Sequence, residues 1–288
     1  MGIEDKNSSN SPLPTPLRAA LEKAVQGGKS GAMAMTIQCC TMMWIRTTMN
    51  YQYRYGTTTT QAMRTLYQQG GIRRFYRGLA PALFQGPISR FGDTAANAGV
   101  NAYLKDSDLP VALRTFCAST AAGGWRIMIM PIDCLKTTLQ VEGRDGVALL
   151  GKKIKARGPF VLWHGALAAA SATAVGHFPW FVTFNYLQET IPLAESTVGN
   201  FGRNAGIGFC SSVVSDTISN SLRVIKTTRQ TYSEAVTYPE VVRHVIKEDG
   251  VLGLFGRGLK TRLLANGLQG LVFSVLYKHF MTMYEAKS

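Results

Sequence analysis

Residues 131–140 read Pro-Ile-Asp-Cys-Leu-Lys-Thr-Thr-Leu-Gln, and two altered copies of this stretch occur elsewhere in the 288-residue chain. The copies are Thr-Met-Met-Trp-Ile-Arg-Thr-Thr-Met-Asn at 41–50 and Ser-Leu-Arg-Val-Ile-Lys-Thr-Thr-Arg-Gln at 221–230. Their starts are 90 residues apart both times (131 − 41 and 221 − 131). All three contain a basic residue, two threonines and, two residues later, an amide side chain. Spacing and content together predict a unit repeated three times.

A second element recurs downstream of each copy and always ends in glycine. It reads Phe-Tyr-Arg-Gly at 75–78, Leu-Trp-His-Gly at 162–165 and Phe-Gly-Arg-Gly at 255–258. A mixed polar and apolar segment precedes it, and in the third unit this segment opens with Tyr-Pro-Glu as helix starts do. Each unit is therefore predicted to be a helix, a bend, a basic surface helix and a second helix.

Charge and hydropathy favour a membrane protein over a nucleic-acid binder. Charged residues make up 17% of the chain, against about 25% in ordinary soluble domains. The net charge of +14 falls in the stretches 46–90, 136–165 and 226–262, and the first of these has seven arginines and no carboxylate. Membrane proteins concentrate Lys and Arg in the loops on one side of the bilayer. Between these basic stretches lie apolar segments, each roughly long enough to span a bilayer, near 30–45, 84–104, 111–130, 166–188, 200–222 and 263–284.

This pattern resembles the mitochondrial carrier family over about residues 28–286. The family signature is Pro-x-(Asp/Glu)-x-x-(Lys/Arg) followed by an aromatic-basic-Gly element, and the unit that contains Pro131 is the intact one. The resemblance implies an all-α membrane protein with six transmembrane helices in three pseudo-threefold repeats and short surface helices on the matrix side. In the family the proline bends each odd-numbered helix, because it removes an N–H group and its ring clashes with the preceding turn. Thr41 and Ser221 replace it here, so those bends are absent or depend on hydroxyl–backbone hydrogen bonds.

The expected domain organisation follows the repeats. Residues 1–27 form a hydrophilic and flexible N-terminal arm that resembles neither a secretory signal nor an Arg-rich transit peptide. Carrier repeats follow at 28–110, 111–197 and 198–288. The expected location is the mitochondrial inner membrane, which the chain would cross several times.

The resemblance also implies a matrix gate, a ring of carboxylate–cation pairs that closes the carrier on its matrix side. The carboxylate positions hold Met43, Asp133 and Arg223, so a single carboxylate remains among several cations. We expect Asp133 to pair with Lys226 across two repeats. The gate residues are then Arg46, Asp133, Lys136, Arg223 and Lys226, braced by Asn50, Gln140 and Gln230.

The substrate site is expected midway across the membrane. Positions five residues before the bends hold Arg126 and Asp216, which pseudosymmetry would bring together as a structural ion pair or as a dipole facing the substrate. Positions seven residues past each element's glycine, where the family contacts its substrate, give Gln85, Ala172 with the following Thr173, and Ala265 with the following Asn266; Arg90, His177 and Gln269 lie nearby. His177 is read more readily as an interior hydrogen-bonding group than as a proton relay. This set lacks the strongly basic pattern typical of nucleotide or dicarboxylate carriers, so the substrate class stays open.

Two functions remain after this reading. The first is transport of a small-molecule solute across the inner membrane by alternating access, with substrate at the residues above. The alternative is a carrier-fold protein that no longer transports and serves as a scaffold or subunit of a large inner-membrane complex. Membrane lipids, with cardiolipin as one candidate, are the other expected partners, and nucleic acid is not. No catalytic, phosphate-loop or metal-binding motif occurs, so we expect no enzyme activity, no cofactor and no metal site.

Overall fold

The computed structural model describes residues 15–104, 110–270 and 272. Within these residues the secondary structure is helical. The first repeat contains α1 (Thr15–Tyr55), α2 (Thr59–Gln68), α3 (Gly71–Phe75) and α4 (Leu79–Tyr103). The second contains α5 (Val111–Met128), α6 (Met130–Glu142), α7 (Asp145–Arg157), a 3₁₀ turn (Pro159–Trp163) and α8 (Ala166–Thr190). The third contains α9 (Thr197–Thr231), α10 (Tyr238–Gly256) and a helix, α11, over 259–270.

The helices follow the predicted threefold plan. Among the six predicted membrane helices, the first is α1, the third is α5 together with α6, and the fifth is α9; these are called the odd-numbered helices. Of these, α1, α6 and α9 contact one another around a common centre. The even-numbered membrane helices are α4, α8 and α11. Helix α4 packs against α1 and α5, and helix α8 packs against α5 and α9. Short helices α2, α3, α7 and α10 connect the members of each pair at one end. The three-repeat, all-α architecture predicted from the 90-residue spacing is therefore confirmed.

The surface helices begin where their sequences supply caps. Thr58 precedes α2 and exchanges hydrogen bonds with Gln61, and Thr237 precedes α10 and does the same with Glu240. This reciprocal arrangement satisfies N–H groups that a helix start leaves without partners. The start of α10 at Tyr-Pro-Glu, predicted from sequence, is confirmed.

The odd-numbered helices bend differently because their signature residues differ. Pro131 lies beside a break between α5 and α6, where Ile129 has φ −85° and ψ 2°. In α1, the hydroxyl of Thr41 donates to the carbonyl of Ile37 at 2.9 Å, and the helix continues to Tyr55. α9 likewise runs as one helix through Ser221. Only the repeat that retains the proline has an interrupted odd-numbered helix, as the ring clash of proline requires.

The expected flexible arm needs correction, and another expectation falls mostly outside the described residues. Helix α1 begins at Thr15, so part of the arm expected to be flexible over 1–27 is helical; residues 1–14 lie outside the described residues. Most of the apolar segment expected near 263–284 also lies outside them. Within the described residues, the stretch Pro159–Thr190 is the one that is long and apolar enough to cross a membrane by composition alone. Polar and small residues dilute the other long helices, which is typical of helices that enclose a polar cavity.

Each repeat packs a glycine against the next repeat's odd-numbered helix. Gly78 has φ +85°, and a Cβ there would lie 2.8 Å from the carbonyl oxygen of Lys136. Gly165 has φ +86°, and its Cβ would lie 3.1 Å from the carbonyl oxygen of Lys226. Gly258 approaches α1 in the same way. Glycine is required here by both the left-handed backbone and the close approach.

Buried cations form hydrogen bonds across the same interfaces between repeats. Arg74 on α3 donates to the carbonyl oxygens of Gln140 and Val141 at 2.7 and 2.5 Å, at the C-terminal end of α6. Lys153 on α7 donates to the carbonyl oxygen of Gln230 at 3.0 Å, near the end of α9. Removal from water lowers the pKa of both side chains, that of Lys153 to about 8.

Arg257 makes the equivalent contact between the third repeat and the first. Its Nη1 donates to the carbonyl oxygen of Arg54 near the end of α1 at 3.1 Å, while Asp249 and Glu248 bind its other nitrogens at 2.7 and 2.9 Å. Cations near helix C-termini satisfy terminal carbonyl groups and oppose the partial negative charge there. Each repeat thus supplies the cap of the next repeat's odd-numbered helix.

Substitution of Gly78 by alanine tests the glycine contact. The added Cβ meets a backbone oxygen and a positive φ, so we expect Gly78→Ala to destabilise the protein by about 2–4 kcal/mol. Thermal unfolding in detergent should show a melting temperature lower by about 5–10 °C. Gly151→Ala on α7 is the control, because a Cβ there meets nothing within 4 Å. Equal melting temperatures for Gly78→Ala and the control would contradict this account.

Candidate functional site: a cationic central cavity

A cavity of about 440 Å³ lies where the odd-numbered helices converge. It brings together residues from α1, α4, α5, α6, α8, α9 and α11. Most of the residues predicted for the gate and the substrate site line it: Arg46, Asn50, Gln85, Arg126, Asp133, Lys136, Gln140, His177, Arg223, Lys226, Asn266 and Gln269.

Asp133 is the charged centre of the matrix gate. Its side chain lies in the first turn of α6, just after the helix break, and the residue is 5% exposed. Lys226 of the third repeat contacts Oδ2, and Lys136 lies 2.8 Å from Oδ1. Gln230 donates to Oδ2 at 3.4 Å. The structure thus places Lys226 and Gln230 against Asp133, as the sequence predicted, and the role of these residues as a matrix gate stays a prediction.

Lys136 contacts other groups in place of the carboxylate that the first repeat lacks. Met43 stands at that carboxylate position and is fully buried. Lys136 instead shares Asp133 and donates to Gln85 Oε1 at 3.1 Å. Beside Met43, Asn50 donates to Gln140 Oε1 at 2.6 Å and Gln140 donates to the Met43 sulfur at 3.5 Å. Asn50 and Gln140, the amide residues predicted to brace the gate, therefore bind each other and the Met43 thioether rather than an ion pair.

The remaining corner of the gate holds two arginines. Arg46 donates to Gln269 Oε1 at 2.6 Å from Nη2 and at 3.2 Å from Nε. Arg223, at the carboxylate position of the third repeat, lies 3.9 Å from Asp216 Oδ1, and its Nε has no hydrogen-bond partner among the described residues. The described contacts at this corner are therefore an amide oxygen for Arg46 and a carboxylate 3.9 Å away for Arg223.

Asp216 does not form the ion pair expected from sequence. Its Oδ1 accepts from Arg262 Nε at 2.7 Å and its Oδ2 accepts from Asn266 Nδ2. The expectation of a pair with Arg126 compared the odd-numbered helices alone, and α11 supplies a nearer cation. Arg262 precedes Asn266 by one helical turn, so both point in the same direction. That spacing was the signal from which sequence reasoning would have found Arg262.

The other predicted substrate residues occupy different surroundings. His177 lines the cavity, and its Nδ1 lies 2.9 Å from the Ser119 hydroxyl, as its reading as an interior hydrogen-bonding group requires. Thr173 donates to the Ala169 carbonyl at 3.0 Å and lines a smaller pocket of about 50 Å³ beside the main cavity. The side chain of Arg90 lies outside the described residues.

The lining is strongly basic, and Arg262 is the one of its cations that the sequence analysis did not name. Six cations line the cavity, and two carboxylates, Asp133 and Asp216, contact them. This leaves a formal excess of four positive charges among the described residues. Charges buried away from water require nearby charges of opposite sign. The cations are Arg46, Arg126, Lys136, Arg223, Lys226 and Arg262.

Comparison with known proteins agrees with the repeat architecture. The model of the mitochondrial carrier protein family matches residues 18–108, 107–194 and 198–288. The chain therefore belongs to the mitochondrial carrier family, whose members are solute transporters of the mitochondrial inner membrane rather than enzymes.

The chain is also similar to a curated relative. It is 26% identical over 224 residues to the calcium-dependent mitochondrial ATP-magnesium/phosphate carrier protein 2 of Arabidopsis thaliana. The match covers 71% of this chain but 45% of the relative, so the chain spans about half the length of that protein.

Replacement of Asp133 by asparagine tests the centre of the gate. The change leaves two lysines at a buried site without their carboxylate, so we expect a loss of about 3–5 kcal/mol in the free energy of unfolding. Thermal unfolding in detergent measures it. Asp145→Asn, at an exposed position in the first turn of α7, should cost less than about 1 kcal/mol. An Asp133→Asn protein as stable as this control would contradict the assignment.

Proposed function

We propose that this chain carries an anionic solute across the mitochondrial inner membrane, as a multi-pass carrier that works by alternating access. The observation that carries the proposal is the cavity with six cations and two carboxylates at the convergence of the three repeats. An anion placed there offsets the repulsion among the cations and gains strength from the low local dielectric.

The cavity supplies both charge and hydrogen-bonding groups. Arg126 and Arg262 are its cations outside the predicted matrix gate, and Gln85, His177 and Asn266 are further polar groups, on α4, α8 and α11. Guanidinium groups bind phosphate and carboxylate groups through two parallel hydrogen bonds. We propose that Arg126 and Arg262 bind the charged end of the solute. The other polar groups, Gln85, His177 and Asn266, then determine its orientation.

The relative supports an anionic substrate. The relative is named as a carrier of ATP-magnesium and phosphate, and both are anionic solutes. The cavity also favours transport over the alternative of a non-transporting scaffold. A bundle that serves only as a scaffold gains stability by replacing buried charges with apolar packing, whereas this one surrounds about 440 Å³ with charged groups.

Uptake into liposomes tests the proposal. The purified full chain should take up at least one solute from a panel of labelled phosphates, nucleotides and carboxylates, with saturable kinetics, and should not take up cationic solutes. Arg126→Gln and Arg262→Gln should each lower the uptake rate about tenfold or more, because a charged hydrogen bond contributes about 1.5–3 kcal/mol.

Arg64→Gln is the matched control, because Arg64 is exposed on α2 and does not line the cavity. Its uptake rate should equal that of the unmodified chain. Melting temperatures distinguish lost binding from lost folding. A folded protein that takes up none of the anions, or that prefers cations, would contradict the proposal.

A further inference from the structure

Two charged residues of the third repeat occupy positions that the other repeats fill differently. Arg262 follows Gly258 by four residues, and the equivalent positions of the first and second repeats hold Ala82 and Ala169. Its partner Asp216 lies five residues before the bend position, where the other repeats have threonine and arginine. The carboxylate and the guanidinium group therefore occur together in one repeat, and this pair breaks the pseudosymmetry of the cavity.

Asp216 lies behind the wall of the cavity rather than in it. The residue is 4% exposed and does not line the cavity, whereas Arg262 and Asn266 both do. Its Oδ1 accepts a hydrogen bond from Nε of Arg262 at 2.7 Å, and its Oδ2 accepts one from Nδ2 of Asn266. One carboxylate on α9 thus holds two cavity-lining side chains of α11, one with each oxygen.

The contact between the two charged groups is made at Nε of Arg262. A guanidinium group carries its N–H donors in one plane, and it binds the two oxygens of a carboxylate or phosphate group side by side. An acceptor at Nε fixes the rotation of that plane and therefore the direction in which the two Nη groups point. Without this acceptor, the long side chain of Arg262 can adopt other rotamers.

We propose that Asp216 is a positioning residue for solute binding, which orients Arg262 and Asn266 towards the cavity and does not itself contact the solute. The inference rests on the proposed function, because there Arg262 binds the charged end of an anion. That end is then held on the side of the third repeat, at the position where the other two repeats have alanine.

Two roles of Asp216 predict opposite changes in the affinity for an anion. If the carboxylate acted through its charge alone, its removal would raise the formal excess of positive charge from four to five and would strengthen binding. Arg223, whose Nη2 lies 3.9 Å from Oδ1, would add to this effect. If the carboxylate orients Arg262, its removal weakens binding instead.

The experiment measures initial rates of uptake into liposomes that contain the full chain, with labelled phosphate, ATP and malate at a series of concentrations. Asp216→Asn keeps the shape of the side chain and removes its charge. We expect this variant to raise the KM for a transported probe about tenfold with little change in the maximal rate, because a misdirected binding group costs solute affinity. A KM that is unchanged or lower would overturn the inference and leave the proposed function intact.

Asp249→Asn is the matched control. Oδ2 of Asp249 also accepts from an arginine Nε at 2.7 Å, that of Arg257, and neither residue lines the cavity. This variant should leave the KM unchanged even where it lowers the melting temperature. An equal rise in KM for Asp216→Asn and Asp249→Asn would show a general effect on the fold and would overturn the positioning role.

An Arg262→Gln background tests whether Asp216 acts through Arg262. There Asp216→Asn should change the KM by less than about twofold, because Asn266 is then the described cavity-lining group that it still holds. A further rise of about tenfold in this background would overturn the inference.

Asp216→Glu keeps the charge on a longer side chain, and its KM should lie between those of the unmodified chain and Asp216→Asn. If Asp216→Asn does not fold, Asp216→Glu decides, and a KM equal to that of the unmodified chain would then overturn the inference.

Binding measured on the same preparations separates this inference from the proposed function. The three anions are titrated against the melting temperature of the purified chain in detergent, and Asp216→Asn should need about tenfold more anion for the same rise. Such a difference without uptake supports the inference and removes the transport proposal. Neither uptake nor a rise with any of the three anions would overturn both.

Discussion

The arrangement depends on one buried carboxylate, Asp133, which contacts lysines from two repeats. It follows the helix break that Pro131 causes, and the start of α6 places a favourable partial positive charge beside it. Through Lys226 this carboxylate connects the start of α6 to α9, while Lys136 of α6 binds its other oxygen. Among the described contacts of the predicted gate residues, the other carboxylate is Asp216, which lies 3.9 Å from Arg223.

The interfaces between repeats show how three divergent units keep one geometry. The glycines at 78, 165 and 258 occupy equivalent positions and permit the same close approach. The cations that cap the odd-numbered helices do not occupy equivalent positions, since Arg74, Lys153 and Arg257 lie at different distances from those glycines. Steric fit is conserved among the repeats by position, whereas electrostatic capping is conserved only by location in space. A charged side chain is long enough to reach a carbonyl group from several starting points, but a backbone contact requires one position.

The sequence predicted the repeats, the helix order and the Asp133–Lys226 contact, because these follow from periodicity and from local signature residues. It predicted the pairing of Asp216 incorrectly, because the comparison of equivalent positions on odd-numbered helices took no account of Arg262 on α11. Whether Arg262 and Arg223 face the same space depends on how helices from different repeats rotate against each other, and no local pattern encodes that rotation. The continuous course of α1 and α9 agrees with the loss of proline at Thr41 and Ser221.

A double-mutant cycle between Asp133 and Lys226 tests the central claim most directly. The free energy of unfolding in detergent is measured for the unmodified chain, for Asp133→Asn, for Lys226→Gln and for the double variant. Direct contact across the repeats predicts that the double variant loses less stability than the sum of the single variants, by about 1–3 kcal/mol. Losses that add within about 0.5 kcal/mol would mean that these two side chains do not interact, and would contradict the account of the gate.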